Sequence, residues 1–247
     1  MSIKSARILR PVCGLIAMLI VHPLSGGAQT LDEVLRASLA ASGGREALDS
    51  LSSVRQTGTF SMATPFGNLE GDTEVVIVPN QKIYQMLESD LFERESAWNG
   101  TSVWQSSSQQ GLVDLQGRQA ASLAAQAVLH PFLGYENPQI DAEFSQLDDT
   151  EVDGRPHHVV LVRAAGFEYS VFLDLETKLV SRLQFETDVP QLGVVMITAD
   201  SSEYEEHGGV MFATRNVIDV PGFVRTDIRF STTELNGEVD HSIFERP

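Results

Sequence analysis

The sequence predicts an α+β protein that is mainly β: a strongly curved antiparallel sheet of about 11–12 strands with helices against its open side. Three observations predict it. Hydrophobic periodicity is helical only in two regions, 30–51 and 117–132. From Val54 it changes to a period of two, and strand-like runs separated by tight-turn residues then continue to the C-terminus. No sequence repeat divides these runs, and so many antiparallel strands laid flat would expose an apolar face and long free edges, so the sheet must curl.

The chain opens with Lys4, Arg7 and Arg10, an apolar stretch from Val12 to Val21, and small residues up to Ala28. That is the layout of a secretory signal peptide over 1–28, and its apolar core falls short of the roughly 20 residues a membrane span needs. The only cysteine, Cys13, sits at the start of that stretch with its apolar run after it, opposite to the order of a lipoprotein signal. The mature chain, 29–247, then has no disulfide and is held by its core as one domain. Its balance is 14 basic against 34 acidic residues, or −20. Such a surface repels phosphate backbones and excludes nucleic acid as a partner. With no later apolar run of spanning length, the reading is a periplasmic, monomeric protein.

Each element follows from its pattern. Thr30 and Glu33 form a capping box, Leu31, Val34, Leu35 and Leu39 recur at helical spacing, and Gly43-Gly44 end the helix. Ala47, Leu48 and Leu51 make a second short helical turn. "LEGDTEVVIV" (69–78) alternates Glu70, Asp72 and Glu74 against Thr73, Val75 and Ile77. Runs at 81–88, 91–98 and 101–106 follow, with Asn99-Gly100 as a hairpin turn. The sequon Asn99-Gly100-Thr101 reads as that turn. In 117–132, Ala120, Leu123, Ala124, Ala127 and Val128 form a helical stripe that Pro131 closes. Further strands are read at 141–149, 157–164, 167–174, 178–186, 193–205, 210–218 and 223–235.

"VVIV" (75–78), "VVLV" (159–162) and "VFL" (171–173) are apolar on both faces. Such strands are either buried between sheet and helix or line an internal apolar cavity.

Catalytic constellations are sparse. His157-His158 are neighbours on a strand, where successive side chains point to opposite faces, so they do not hold one metal between them. His130, His207 and His241 lack ligand spacing. Asp148-Asp149 and Glu203, Glu205 and Glu206 read as solvated faces, with weak calcium binding as the alternative. No HExxH, GxSxG or phosphate-loop pattern occurs. The chain reads as no enzyme, with no cofactor and no metal.

One ordered pattern points to a family. Glu70-Gly71 lies on a strand that ends in Pro79-Asn80, followed by Asn99-Gly100-Thr101 and Trp104. With the helix before the first strand, the mid-chain helix and the ending "VDHSIFERP", the chain resembles the periplasmic lipoprotein-carrier (LolA/LolB-like) superfamily as a divergent member. That resemblance implies an unclosed β-barrel with helices lying across the opening as a lid. It implies a cavity for lipid or the acyl chains of lipoproteins, without catalysis. On this reading Val75, Ile77, Ile83, Leu87, Trp104, Phe167, Tyr169 and Val171 line the cavity, and Leu35, Leu39, Leu123 and Ala127 belong to the lid. Carriers of this superfamily have an Arg immediately before the Pro-Asn; here the position is Val78. The alternative is an envelope sensor or protein-interaction domain with the same fold and no lipid cargo.

Overall fold

A computed structural model describes residues 29–135, 137, 141–164, 166–189 and 192–247. The signal peptide assigned to 1–28, with Cys13, lies outside them. Two helices come first, α1 (Leu31–Ala41) and α2 (Gly44–Asp49). The capping box forms: the Glu33 N–H donates to the Thr30 hydroxyl and the Thr30 N–H to the Glu33 carboxylate. These bonds satisfy amide groups that the first helical turn leaves free, and they lower the Glu33 pKa.

A meander of six strands follows: β1 (Val54–Thr64), β2 (Gly67–Val78), β3 (Lys82–Ser89), β4 (Phe92–Trp98), β5 (Val103–Ser107) and β6 (Gly111–Leu115). Helix α3 (Gly117–Ala125) separates it from a second meander of seven: β7 (Ala142–Val152), β8 (Arg155–Ala164), β9 (Phe167–Asp174), β10 (Val180–Val189), β11 (Gly193–His207), β12 (Val210–Val220) and β13 (Val224–Leu235). A single 3-10 turn, His241–Phe244, ends the chain. Every strand pair is antiparallel, and one 13-stranded sheet runs β6-β5-β4-β3-β2-β1-β13-β12-β11-β10-β9-β8-β7. The thirteenth strand, beyond those read from the sequence, is β6; its five residues, "GLVDL", are too few to display a period of two.

The two meanders meet where β1 pairs with β13, and there the sheet bends. The ladder shifts register between Thr57 and Gly58. A side chain at Gly58 would strike the Arg229 carbonyl, and one at Gly71 would strike the Glu88 carbonyl and the Phe60 ring. Both glycines therefore allow neighbouring backbone to fold in over the concave face. Edges β6 and β7 do not pair with each other, so the sheet remains unclosed.

All hairpins of one parity turn at one end of the sheet, and α1 and α2 lie at the other. Helices α1 and α2 place Val34, Leu35, Leu39 and Leu48 against Val160, Val171, Leu173 and Val210. Helix α3 touches both β3–β5 and β9–β10, strands far apart in the sheet, so the two wings curl towards each other and α3 bars the space between them. It is shorter than the stripe over 117–132 predicts. After Ala125 the chain tightens into i→i+3 bonds, and the Ala127 carbonyl accepts the N–H of Asn80. The following segment plugs the core with Phe132 and Leu133, both fully buried, while the Arg45 guanidinium donates to the Leu133 and Tyr135 carbonyls.

Candidate ligand-binding concavity

Register decides which side chains face the concavity. Ile77 lies opposite Ile83, which lies opposite Trp98, and Trp98 opposite Val103; Thr73 lies opposite Leu87. On the far wing Val171 pairs with Val160 and Leu183, and Tyr169 with Val162 and Phe185. Directly paired residues share a face. Val75, Ile77, Ile83 and Leu87 thus form one wall, and Phe167, Tyr169 and Val171 the other. Leu123 and Ala127 pack against Ile83 and Val103 with Val75, Ile77 and Trp98 around them. Leu35 and Leu39 pack on the far wing.

Trp104 requires a correction. The sequence reading groups it with the cavity wall, but it pairs with Ala97 and Asp114, on the convex face. There it packs with Val76, Val78, Tyr84 and Ala97 over the fully buried ring of Phe244, and its indole N–H donates to the Phe244 carbonyl at 2.9 Å. The tryptophan that faces the concavity is Trp98, on the adjacent strand. A strand that is apolar on both sides carries no alternation to say which side faces inward.

The motifs that carry the resemblance acquire physical roles. Asn80 adopts a left-handed conformation (φ 59°), which asparagine tolerates, and its N–H holds the end of α3. Asn99 accepts the N–H groups of Thr101 and Ser102 on its side-chain oxygen, which closes the hairpin turn. Val78, at the position where carriers have Arg, is buried in the convex cluster.

The concavity is unevenly filled. At the helix end, Leu35, Phe132, Val160 and Val171 have no solvent contact. On the wing formed by β1–β6, Gln56, Val75, Ile77, Gln85, Gln105 and Val113 are only half-buried. A separate apolar group, Phe60, Met62 and Leu87 with Leu69, Phe92, Val224 and Ile228, lines the concave face close to the rim. Two polar hollows lie among residues of the convex face. One, of about 570 Å³, is bordered by Thr59, Ser61, Glu70, Asp72, Asp227 and Arg229, and the other, of about 200 Å³, includes Asp153, His157, Asp200 and Arg215.

His157 and His158 point to opposite faces. His158 Nδ1 lies 2.8 Å from Asp149 and its Nε2 2.8 Å from the Gln29 side-chain oxygen, whereas His157 Nδ1 donates to the Arg155 carbonyl. Among the described residues no three His, Cys, Asp or Glu gather around a point that could hold a metal ion. Glu203, from an acidic cluster read as solvated, forms ion pairs with Arg215 and Arg229. His130 is buried between α1 and the plug, where desolvation lowers its pKa to about 3. The Phe132 N–H donates to its Nδ1, so Nε2 carries the proton and faces the Ser38 hydroxyl.

No helix among the described residues is long and apolar enough to cross a membrane. No protein-family model and no curated protein matches the sequence. Solved structures do match in fold. A LolA superfamily protein from Nitrosomonas europaea aligns over 88% of this chain and 98% of its own at 13% identity, with a TM-score of 0.58. An outer membrane lipoprotein-sorting protein domain from Vibrio parahaemolyticus aligns over 86% and 94% at 10% identity, with a TM-score of 0.57. A DUF1329 family protein from Desulfovibrio piger aligns over 85% and 97% at 10% identity, with a TM-score of 0.56. With its single unclosed antiparallel sheet and the helices across its concave side, the chain has a LolA-like fold.

Proposed function

We propose that this protein is a non-catalytic periplasmic binding or carrier protein that takes a lipid, or the acyl chains of a lipoprotein, into its concavity. The observation that carries this reading is the way α3 bars the concavity. It has nine residues, no side-chain hydrogen bond at its N-cap Gln116, and only Leu123 buried within it, yet it covers Val75, Ile77, Ile83 and Val103. A short helix without a side-chain N-cap has little stability of its own and is held by its contacts with the two wings of the sheet. Displacing it exposes apolar wall that an acyl chain can cover in its place. The likeness in fold to a lipoprotein-sorting domain agrees with this use.

The test uses cysteines placed at Gln85 and Gln126, whose side chains hydrogen-bond across β3 and α3. Joined by a cleavable bifunctional thiol reagent, they should block uptake of a fluorescent acyl probe, and cleavage should restore it. Uptake undiminished by the cross-link would remove α3 as the cover. Absence of uptake by any form of the protein would remove lipid binding itself.

A second reading, docking of another envelope protein without lipid, is favoured by the rim. Phe66 (98% exposed), Leu91 (81%) and Phe223 (48%) sit on three hairpin turns at the same end of the sheet, with Leu192 on a fourth. Exposed large apolar residues gathered at one end mark an interaction surface. Capture of one envelope protein that is lost on Phe66→Ser and Leu91→Ser, with no acyl probe bound, would select this reading.

A further inference from the structure

The concave face carries one strand cation. Of the lysines and arginines on the described strands, the others stand on the convex face, where Arg55 pairs with Glu74, Arg155 with Asp174, Arg163 with Glu168, Arg182 with Asp200 and Arg215 with Asp227. Arg94 lies opposite Leu87 on β3 and Ser107 on β5, both concave positions. Its neighbours on that face are Phe92 towards the rim and Ser96 towards α3. The nearby carboxylates are turned away: Glu88 pairs with Glu93, and Glu95 with Met86, all on the convex face, where Glu95 accepts the Tyr84 hydroxyl.

Arg94 is exposed to solvent, yet protein surrounds it closely enough that desolvation lowers its pKa. Its place in the ladder, opposite Leu87 and Ser107, puts this solvent-exposed side chain on the concave face. Two residues inward from Phe92, at about 3.3 Å per residue, it sits about 7 Å within the rim. Leu87, directly opposite it, and Phe92 belong to the apolar group that lines the concave face near the rim. In a chain of net charge −17, a guanidinium on this face without a carboxylate partner is an uncompensated cation, and its five N–H donors match a carboxylate or phosphate.

We propose that Arg94 anchors the anionic headgroup of an amphiphile whose acyl chain lies along the concave wall, so that the ligand class is a single-chain or lipid anion and not a neutral lipid. This rests on the acyl-binding reading above and specifies its headgroup. Ser96, Ser107 and Gln105 add neutral hydrogen-bonding groups on the same face, and no described carboxylate there competes for the guanidinium.

The experiment is displacement of a fluorescent acyl probe from the purified protein by palmitate, palmitoyl lysophosphatidate, hexadecanol and inorganic phosphate, in the native sequence, Arg94→Met and Arg94→Lys. The two chain-bearing anions should compete about tenfold or more better than hexadecanol, the preference expected of a charge-assisted hydrogen bond. Arg94→Met should reduce the anions to the level of hexadecanol and leave hexadecanol unchanged, and Arg94→Lys should keep part of the preference. Whichever anion is preferred, palmitate or lysophosphatidate, identifies the headgroup as carboxylate or phosphate. Equal competition by palmitate and hexadecanol in native protein and Arg94→Met would overturn the anchor while acyl binding stands. Displacement by inorganic phosphate alone would overturn the amphiphile. Failure of the probe to bind at all would overturn the acyl-binding reading, and the anchor with it.

Discussion

Replacing Phe244 by alanine tests whether the C-terminal turn is part of the fold. Its ring is fully buried on the convex face against Val76, Tyr84, Ala97 and Trp104, and its carbonyl accepts the Trp104 indole N–H. Removing a fully buried phenylalanine ring costs about 3–5 kcal/mol, because the lost burial is compounded by the cavity left behind. For a domain of this size each kcal/mol corresponds to about 2–4 °C in Tm. Trp104→Phe keeps most of the volume but leaves a buried carbonyl without its donor, about 1–3 kcal/mol. The two substitutions disrupt one contact, so the double variant should lose less than the sum of the singles. Urea unfolding followed by circular dichroism gives all three numbers. Acyl-probe binding by folded Trp104→Phe should equal that of the native protein, since the ring lies on the far side of the sheet. A tenfold loss of probe affinity with unchanged stability would refute the register argument and return Trp104 to the cavity.

Three further outcomes follow from the geometry. Gly71→Ala should destabilise by about 1–3 kcal/mol or more in thermal unfolding, because the new methyl group meets the Glu88 carbonyl, a backbone atom that cannot swing aside; a variant as stable as native would mean that the close approach is absent. Thr30→Ala removes the capping box that starts α1 and should lower stability by about 0.5–2 kcal/mol in urea, with no loss if α1 is held by packing alone. His130 gives a pH dependence of definite sign. The unfolded chain takes up a proton on this residue below about 6.5, whereas burial holds the folded pKa at about 3, so its contribution is constant above pH 6.5 and is lost as pH falls towards 3. Between pH 7 and 4.5 the loss is about 3 kcal/mol, worked from 1.36 kcal/mol per pH unit over two units. Subtracting the same measurement on His130→Gln isolates it from carboxylates with lowered pKa, Asp174 and Asp227 among them. Parallel stability curves for the two proteins would show that His130 is accessible to protons.

Much of this architecture is legible in the sequence because it rests on local rules. The capping box of α1, the strands of the two meanders and the left-handed Asn80 turn are each dictated by neighbours a few residues away. The end of α3 is not, since what stops it at Ala125 is an amide from Asn80, some 45 residues earlier in the chain. Nor is the plug of Phe132 and Leu133, which reads as the tail of a helical stripe and becomes core only because α1 and β8 lie over it.

The sequence by itself determines that a long antiparallel sheet curls and that amphipathic helices cover it, because period, turn chemistry and the need to bury an apolar face act at short range. Which face of a doubly apolar strand looks inward is decided only by the tertiary structure. Val75 and Val76 are equally apolar, and only the ladder linking Ile77, Ile83, Trp98 and Val103 turns one into the concavity and the other beneath Phe244. The same ladder turns Arg94 inward and its acidic neighbours outward, because in a pleated strand a shift of one residue exchanges the two faces.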